Sequence, residues 1–346
     1  MLPSLSRTLA FPLSFVLAIG ACSSSGAASV APTSSTVAVA SPSAALAPNP
    51  TPPLTPVPAP AFPTTLTDDE GTAVTIPVAP QRIVSLTPAS TEILFGLGAG
   101  SRVIAGTEAD DYPPAADALP DVATYEAVDV EKIVGIEADL VIAGGNFFNP
   151  PEAIARLREL GIPVLVLYAP DIAGVLADVE LIGDAIGLPD AAGEMTAAMQ
   201  AGFDDVASAT AGLDRPRTFY ELDVSTGTIY TVADESFSAE MVSLAGGDPI
   251  TTGSTTDYAI PLERLIVADP ELILLGDAAY QVTAAQVKDR TGWDVMTAVR
   301  NDAIRPVNDI IITRPGPRLV EGLRELALAI HPDLVLPSAA PIPPLP

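Results

Sequence analysis

Two glutamates occupy the same place in a stretch of sequence that occurs twice. Residues 129–145 read DVEKIVGIEADLVIAGG and residues 261–277 read PLERLIVADPELILLGD, so that Glu131 aligns with Glu263. Each acid is expected in the first turn of a short helix, where the backbone dipole alone favours a carboxylate by about 0.3–1 kcal/mol. The alternative is that two matched carboxylates bind the same kind of basic group on a partner. The residues themselves leave both explanations open.

The sequence contains few of the residues that usually catalyse reactions or bind metals. The chain contains one His and one Cys, whereas zinc and related metals are held by several imidazole or thiolate ligands. His331 stands near the C-terminal end, and the chain has no GxSxG motif to make a serine hydrolase. Among 43 acidic residues, carboxylate pairs occur by chance and do not indicate a glycosidase. We therefore expect no catalytic residues, no metal site and no enzymatic activity, with a secreted hydrolase as a distant alternative.

The charge of the chain excludes two classes of partner. Its formal net charge is −27, so nucleic acid and anionic lipid surfaces both repel it. A basic protein surface, or a neutral or cationic ligand, is compatible with this charge. The acidity also helps to keep an exported protein soluble.

The first 66 residues predict export and anchoring rather than a folded domain. Residues 1–21 are expected to be a signal peptide, because Arg7 precedes an apolar run that is too short to span a bilayer. The sequence LAIGAC, which ends at Cys22, resembles the site at which bacterial lipoproteins are cleaved and lipidated. Residues 22–66 are rich in Ser, Ala and Pro and carry no charge, which is typical of an extended tether. We therefore expect an exported protein that is lipid-anchored through Cys22 to the outer face of the cell membrane.

The remaining sequence alternates strand-like and helix-like segments, which predicts parallel sheets flanked by helices. One group of segments fills residues 67–189 and a second fills residues 214–337, where RTFYELDV and TIYTV are predicted strands. Residues 190–213 contain no Pro and repeat apolar residues at helical spacing, which predicts one long connecting helix. The predicted fold class is therefore α/β, with two Rossmann-like lobes joined by one long helix. A ligand cleft is expected between the lobes, and residues 338–346 form a tail.

A second repeat supports the duplication of the lobes. The segment STEILFGLGAG is echoed by SFSAEMVSLAGG, so that Glu92 matches Glu240. Thr87 and Pro88 predict the start of the first of these helices, and Gly98 predicts its end. The GLGAG run follows the helix, whereas a glycine loop that binds phosphate precedes one. A dinucleotide site is therefore not expected.

Several motifs, in the same order, resemble the substrate-binding proteins of ABC importers for cobalamin, ferric siderophores and haem, the class III periplasmic binding proteins. The motifs are PQRIVSLTPASTEILFGLG, DYPPAA, VEKIVGIEADLVIAG, SFSAEMVSLAGGDPI, LERLIVADPELILLG and RPGPRLVEGLRELA. The resemblance implies that Glu131 and Glu263 each form salt bridges with arginines of an ABC permease dimer, which works with ATPase subunits. It also implies a monomer that binds one small molecule between two rigid lobes and carries no resident cofactor.

The resemblance also implies where the ligand binds. Cleft residues are expected on loops that follow the strands, where aromatic rings and an arginine could hold a macrocycle and its anionic groups. The expected ligand-binding residues are Tyr112, Tyr125, Phe147, Phe148, Tyr230, Tyr258 and Arg314. A corrinoid is the first expectation, and a ferric siderophore or haem is the alternative.

Two features bear on that choice of ligand. The chain departs from the cobalamin-binding pattern of several cleft tryptophans, since it has one, Trp293. An anionic siderophore would need more cleft arginines than Arg314, and Arg217 and Arg318 are the further candidates. Haem would need an axial ligand, for which Tyr125 or Tyr258 is suitable.

Overall fold

The computed structural model of the chain describes residues 62–124, 127–145 and 148–338. The expected signal peptide, the lipidation site at Cys22 and most of the tether lie outside the described residues. So do two of the expected ligand-binding aromatics, Tyr125 and Phe147, and residues 339–346 of the tail. None of the helices among the described residues combines the length and hydropathy that a membrane crossing requires.

The described chain begins with an antiparallel hairpin of two strands, β1 (Thr64–Thr67) and β2 (Ala73–Ile76). The folded part therefore starts before residue 67, because the last three residues of the expected tether already pair with β2. Asp68 fastens the hairpin to the first lobe. Its Oδ2 accepts hydrogen bonds from Arg158 Nη2 at 2.7 Å and from Val166 N at 3.3 Å.

The first lobe is a parallel sheet with helices on both faces. Its described strands are β3 (Ile83–Ser85), β4 (Val103–Thr107), β5 (Asp121–Ala123), β6 (Leu140–Gly144) and β7 (Val164–Leu167). They lie in the order β5-β4-β3-β6-β7, and all neighbours are parallel. The described helices are α1 (Pro88–Gly96), α2 (Val130–Gly135), α3 (Pro151–Glu159) and α4 (Ile172–Ile186). Because helices cover both faces, β6 and β7 are buried at every position.

One long helix, α5 (Pro189–Thr210), connects the lobes. Its 22 residues span about 33 Å at 1.5 Å per residue. It packs against α4, and its buried face is an apolar stripe that includes Met195, Met199 and Phe203. The stripe belongs to one apolar cluster that runs from the first lobe through α5 into the second. The connection is therefore a packed, continuous core rather than a flexible linker.

The second lobe repeats the plan of the first. Its described strands are β8 (Arg217–Glu221), β9 (Asp248–Pro249), β10 (Leu272–Leu275) and β11 (Ile304–Pro306), in the parallel order β11-β10-β8-β9. The described helices are α6 (Phe237–Leu244), α7 (Leu262–Ala268), α8 (Ala284–Lys288), α9 (Thr297–Arg300), α10 (Asp309–Thr313) and α11 (Leu319–Ile330). Helix α11 packs against α5 and α6, which closes the second lobe onto the connecting helix.

The sheets of the two lobes are separate, so the predicted fold class is confirmed. Three details differ from the sequence-based expectation. The connecting helix ends at Thr210 rather than at residue 213. Helix α4 was not predicted, although Asp171 caps its N-terminus and Gly187 ends it in a left-handed conformation. The segment TIYTV forms no continuous strand, although Tyr230 pairs with Asp223 and with Ala259 and the residues beside it hydrogen-bond to residues 252–260.

Candidate functional site

The two repeated glutamates lie in the first turns of matching helices. Glu131 is in the first turn of α2 and Glu263 is in the first turn of α7, as predicted. Both residues are exposed, and neither forms an ion pair with another described residue. Each carboxylate is therefore open to a partner from solution.

In each lobe an arginine forms hydrogen bonds to the C-terminal end of the helix, α2 or α7, that carries the glutamate. Arg82, just before β3, donates hydrogen bonds from Nε and Nη2 to the carbonyl oxygen of Ile136 at 3.1 and 2.7 Å. Arg217, at the start of β8, donates from Nε and Nη2 to the carbonyl oxygen of Asp269 at 3.0 and 2.8 Å. Left-handed backbone at Glu137 (φ 53°) and at Asp269 (φ 43°) turns the chain at the same place in each copy. These contacts satisfy helix C-terminal carbonyls and fix the direction of α2 and α7.

The basic residue beside each glutamate is engaged elsewhere. Lys132 Nζ donates to the carbonyl oxygen of Asp121 at 2.5 Å. Arg264 donates to the carbonyl oxygens of Thr251 and Thr252. Because both cations hold their own lobe's backbone, neither one neutralises its neighbouring glutamate. The duplication thus yields two anchored helices that each carry one exposed carboxylate without an ion-pair partner among the described residues.

Arg314, an expected ligand-binding residue, takes part in an ion-pair cluster that links the lobes. Glu92 of α1 is buried and accepts hydrogen bonds from Arg318 Nε at 2.9 Å and Nη2 at 2.5 Å. Its Oε1 also lies 3.4 Å from Arg314 Nη1, which is 2.5 Å from Asp111 Oδ1. The guanidinium groups of Arg314 and Arg318, in the second lobe, are therefore paired with carboxylates of the first lobe.

Tyr112, another expected ligand-binding residue, belongs to the same cluster. The guanidinium carbon of Arg318 lies 4.3 Å from the centre of its ring, a cation–π contact. Asp110, two residues before Tyr112, is buried and accepts hydrogen bonds from Thr91 Oγ1 and from Thr107. Burial raises the pKa of Asp110, although those hydrogen bonds oppose the shift. The DDY sequence thus builds one wall of the contact between the lobes.

Glu240, the counterpart of Glu92 in the second repeat, also forms a contact between the lobes. Glu240 of α6 lies at the matching place, and its Oε2 accepts a hydrogen bond from Ile172 N, the first residue of α4, at 2.9 Å. In contrast to Glu92, Glu240 is exposed. Each lobe therefore extends one glutamate to the other, but only the pair at Glu92 is buried.

Phe148 lies on a tightly built loop at the carboxyl end of β6. Buried Asn149 accepts a hydrogen bond from Gly144 N at 2.7 Å and donates one to the carbonyl oxygen of Leu86 at 3.2 Å. A Cβ atom at Gly144 would lie 2.6 Å from Thr87 Cγ2 and 2.7 Å from Phe148 Cβ. Phe148 is 58% exposed at this edge of the sheet, so its ring is available to a ligand. Asn149 was not predicted, and nothing but its position after a strand marks it in the sequence.

Tyr258 of the second lobe is 39% exposed and lies close enough to Tyr168 of the first lobe for the two phenols to interact electrostatically. Burial raises the pKa of the Tyr258 phenol, and nearby Tyr168 adds to the shift. Tyr168 follows β7 of the first lobe and is half-buried. Tyr230 is bridged to Asp223 and to Ala259, next to Tyr258. Tyr168 was missed at the sequence level, although it ends a strand-like run in the same way as the expected cleft residues.

Trp293, the single tryptophan, and Arg217, a candidate for the cleft, both make contacts within the second lobe. Trp293 is buried in the core of the second lobe, edge-on to Phe219 with ring centroids 6.1 Å apart. Arg217 lies at the amino end of β8 and holds α7, at the opposite end of the sheet from the loops of the cleft. Within the described residues, no group of His, Cys, Asp and Glu side chains is arranged to hold a metal ion.

Comparisons with known proteins agree with this architecture. A family model described as periplasmic binding protein matches residues 83–308. The uncharacterized ABC transporter substrate-binding lipoprotein YvrC of Bacillus subtilis is 32% identical over 277 residues, covering 79% of this chain and 87% of that protein. A cobalamin-binding protein of Halobacterium salinarum is 31% identical over 281 residues, covering 78% of this chain and 74% of that protein. The crystal structure of the periplasmic vitamin B12-binding protein BtuF of Vibrio cholerae superposes with a TM-score of 0.64 at 27% identity, covering 73% of this chain and 98% of that one.

Proposed function

Because the chain belongs to the periplasmic binding protein family, we propose that it captures a corrinoid in the cleft between its lobes and delivers it to an ABC importer. The proposed role is binding and delivery, with no chemical change of the ligand. The cobalamin-binding relative and the B12-binding structure support a corrinoid, because each is matched over more than 70% of this chain.

The observation that carries the choice of ligand is the state of the arginines at the cleft. Arg314 and Arg318 are already paired with Glu92 and Asp111. An anionic siderophore, or the propionates of haem, would have to displace these carboxylates to gain a cation. A neutral macrocycle needs no such exchange and can bind to aromatic faces. The cleft is therefore better suited to a corrinoid than to a polyanion.

Tyr258, whose residue is 39% exposed, could hold a ferric haem iron as a phenolate, so the case against haem rests on the paired arginines. Haem and ferric siderophores are therefore the second choice for the same cleft.

The proposed delivery step uses Glu131 and Glu263. Their helices are anchored alike, and both carboxylates are unpaired with described residues and exposed. Two matched acidic sites suit a permease dimer with an arginine at equivalent places in each half. Exposed ion pairs are each worth under about 1 kcal/mol, so the pair would set orientation and approach rate more than affinity.

The proposed anchor is a lipid on Cys22, which would keep the receptor beside its permease. A Cys22→Ser variant is expected in the culture medium rather than in the membrane fraction of the native host. Retention of that variant in the membrane fraction would contradict the anchor.

The ligand is tested by thermal unfolding of the purified chain with cyanocobalamin, haem and a panel of ferric siderophores. A ligand at 100 times its Kd should stabilise the protein by about 2.7 kcal/mol. We expect cyanocobalamin to raise the melting temperature and the other compounds to leave it unchanged. Stabilisation by haem or a siderophore alone would refute the corrinoid assignment.

The docking step is tested by transport in cells that express the importer. Glu131→Ala combined with Glu263→Ala should lower uptake and leave ligand affinity unchanged. The matched control combines Glu152→Ala with Glu194→Ala, because both of these glutamates are exposed on helices and their loss removes the same charge. Equal uptake by the two double variants would contradict the docking role.

A further inference from the structure

Arg314 is fixed at the cleft by contacts with the loop that follows β4. Its Nη1 lies 2.5 Å from Asp111 Oδ1 and its Nη2 lies 3.4 Å from Asp111 Oδ2. Nη2 also donates a hydrogen bond to the carbonyl oxygen of Ala109 at 3.2 Å. A guanidinium fork that faces both oxygens of one carboxylate is the arrangement in which arginine binds carboxylate ligands. Asp111 therefore lies where the carboxylate of an anionic ligand would bind.

Asp111 and Arg314 differ in how firmly the fold holds them. The side chain of Asp111 is 53% exposed, whereas that of Arg314 is 19% exposed. Among the described residues, the Asp111 carboxylate accepts hydrogen bonds from Arg314 alone. The carboxylate can therefore be replaced without disturbing the wall of which the guanidinium is a part.

Neither of the two nearest other carboxyl groups is free to take the place of Asp111. Glu92 Oε1 lies 3.4 Å from Arg314 Nη1, but Glu92 accepts shorter hydrogen bonds from Arg318, at 2.5 and 2.9 Å. Asp110 interacts with Arg314 through its charge, but both of its carboxyl oxygens accept hydrogen bonds from threonines of its own lobe. Loss of Asp111 would therefore leave Arg314 with only a distant share of the Glu92 charge.

Arg318, the other arginine of the cluster, offers no comparable position. The ring of Tyr112 lies over its guanidinium, with 4.3 Å between the guanidinium carbon and the ring centre. Its carboxylate partner, Glu92, has a side chain only 1% exposed. A ligand anion would have to displace a buried group to reach Arg318, but only an exposed one to reach Arg314.

A carboxylate that belongs to the chain competes strongly with one that arrives from solution. A group attached beside its partner acts at an effective concentration of about millimolar. A ligand carboxylate must displace Asp111 and thereby gains no ion pair that the chain lacked before. A neutral ligand leaves the pair of Asp111 and Arg314 intact and bears no such cost.

We propose that Asp111 is the residue that sets the charge selectivity of the cleft, because its carboxylate occupies the position on Arg314 that a ligand carboxylate would take. The inference rests on the proposed function, since it concerns a ligand bound in the same cleft. It assigns the preference for a neutral corrinoid to one exposed side chain, and it implies that a single substitution opens the cleft to carboxylate-bearing ligands.

The test uses ligands that differ by one charge: cyanocobalamin and its separated monocarboxylic acids, each made by hydrolysis of one side-chain amide. Calorimetric titration gives the Kd of each acid relative to that of cyanocobalamin. On the unmodified chain, no acid should bind more tightly than cyanocobalamin. In Asp111→Asn, the relative Kd of at least one acid should fall roughly tenfold, as expected for a charge-assisted hydrogen bond to a freed guanidinium.

Two variants control for the general change of charge. Asp117 is exposed on the same loop and takes no part in the ion pairs of Arg314, so Asp117→Asn removes the same charge at another place. It should leave the relative Kd values of the acids unchanged. Adding Arg314→Gln to Asp111→Asn removes the freed cation, so the tenfold fall should disappear.

The outcomes separate the inference from the proposed function. Unchanged relative Kd values in Asp111→Asn, or an equal fall in Asp117→Asn, overturn the inference and leave the proposed function standing. A fall that persists when Arg314→Gln is added overturns it as well. Tighter binding of an acid than of cyanocobalamin to the unmodified chain overturns the inference without any variant. Absence of binding by every corrinoid overturns both proposals.

Discussion

The buried carboxylate that links the lobes should contribute far more to stability than its counterpart in the duplicated half. Glu92 has a side chain 1% exposed and holds Arg318 and Arg314, whose side chains are 18% and 19% exposed. Removing one member of a buried ion pair costs about 3–5 kcal/mol when the other is left without compensation. Arg314 keeps Asp111 in the Glu92→Gln variant, and both arginines retain some water. We therefore expect the variant to lose about 2–3 kcal/mol of unfolding free energy.

The measurement is equilibrium unfolding in urea at neutral pH, with Glu240→Gln as the matched control. Glu240 occupies the same helical position in the other lobe, but it is exposed and accepts one hydrogen bond, from Ile172 N. Its loss should cost less than about 1 kcal/mol. A Glu92→Gln variant that is no less stable than Glu240→Gln would refute the view that this cluster fastens the lobes together.

Two further predictions concern stability. Burial and neighbouring Asp69 raise the pKa of Asp178 to about 8. The neutral carboxyl therefore contributes to the free energy of unfolding, fully below about pH 4. That contribution is lost as the pH rises through 8, at up to about 1.4 kcal/mol per pH unit. The Asp178→Asn variant cannot ionise at this position, so its unfolding free energy in urea should fall less between pH 5 and pH 9 than that of the unmodified chain. An equal fall in both proteins would contradict the raised pKa of Asp178. A Cβ at Gly202 of α5 would lie 2.3 Å from Val320 Cγ1, so Gly202→Ala should lose about 1–3 kcal/mol by overpacking. Gly193→Ala, on the same helix with open space around it, should instead gain about 0.5–1 kcal/mol; the opposite order in thermal unfolding would contradict the packing of α5.

The elements that carry the site were predictable where their signals are local. Thr87 accepts a hydrogen bond from Ser90 N and Pro88 opens α1, as the sequence indicated. The glutamates of α2 and α7 lie in first turns because each is two positions beyond a residue that can start a helix. The repeat also predicted two separate sheets, since a duplicated set of strands and helices can bury its core twice.

The contacts of the cleft were not predictable, because they join residues far apart in sequence. Arg314 was expected to bind an anionic ligand, yet its nearest partner in the structure is Asp111, 203 positions away. Arg217 was a candidate for the cleft, but its place at the start of β8 turns it toward α7. Both outcomes depend on packing between elements, which no local pattern records. The ligand-binding roles of the remaining cleft residues stay predictions.

Equilibrium dialysis of the full chain against cyanocobalamin tests the central claim, that the cleft between the lobes takes up a neutral corrinoid, most directly. The proposed function predicts saturable binding of one molecule per chain, in competition with other corrinoids and unaffected by an excess of haem. Failure of cyanocobalamin to bind, while haem or a ferric siderophore saturates the same chain, would contradict it.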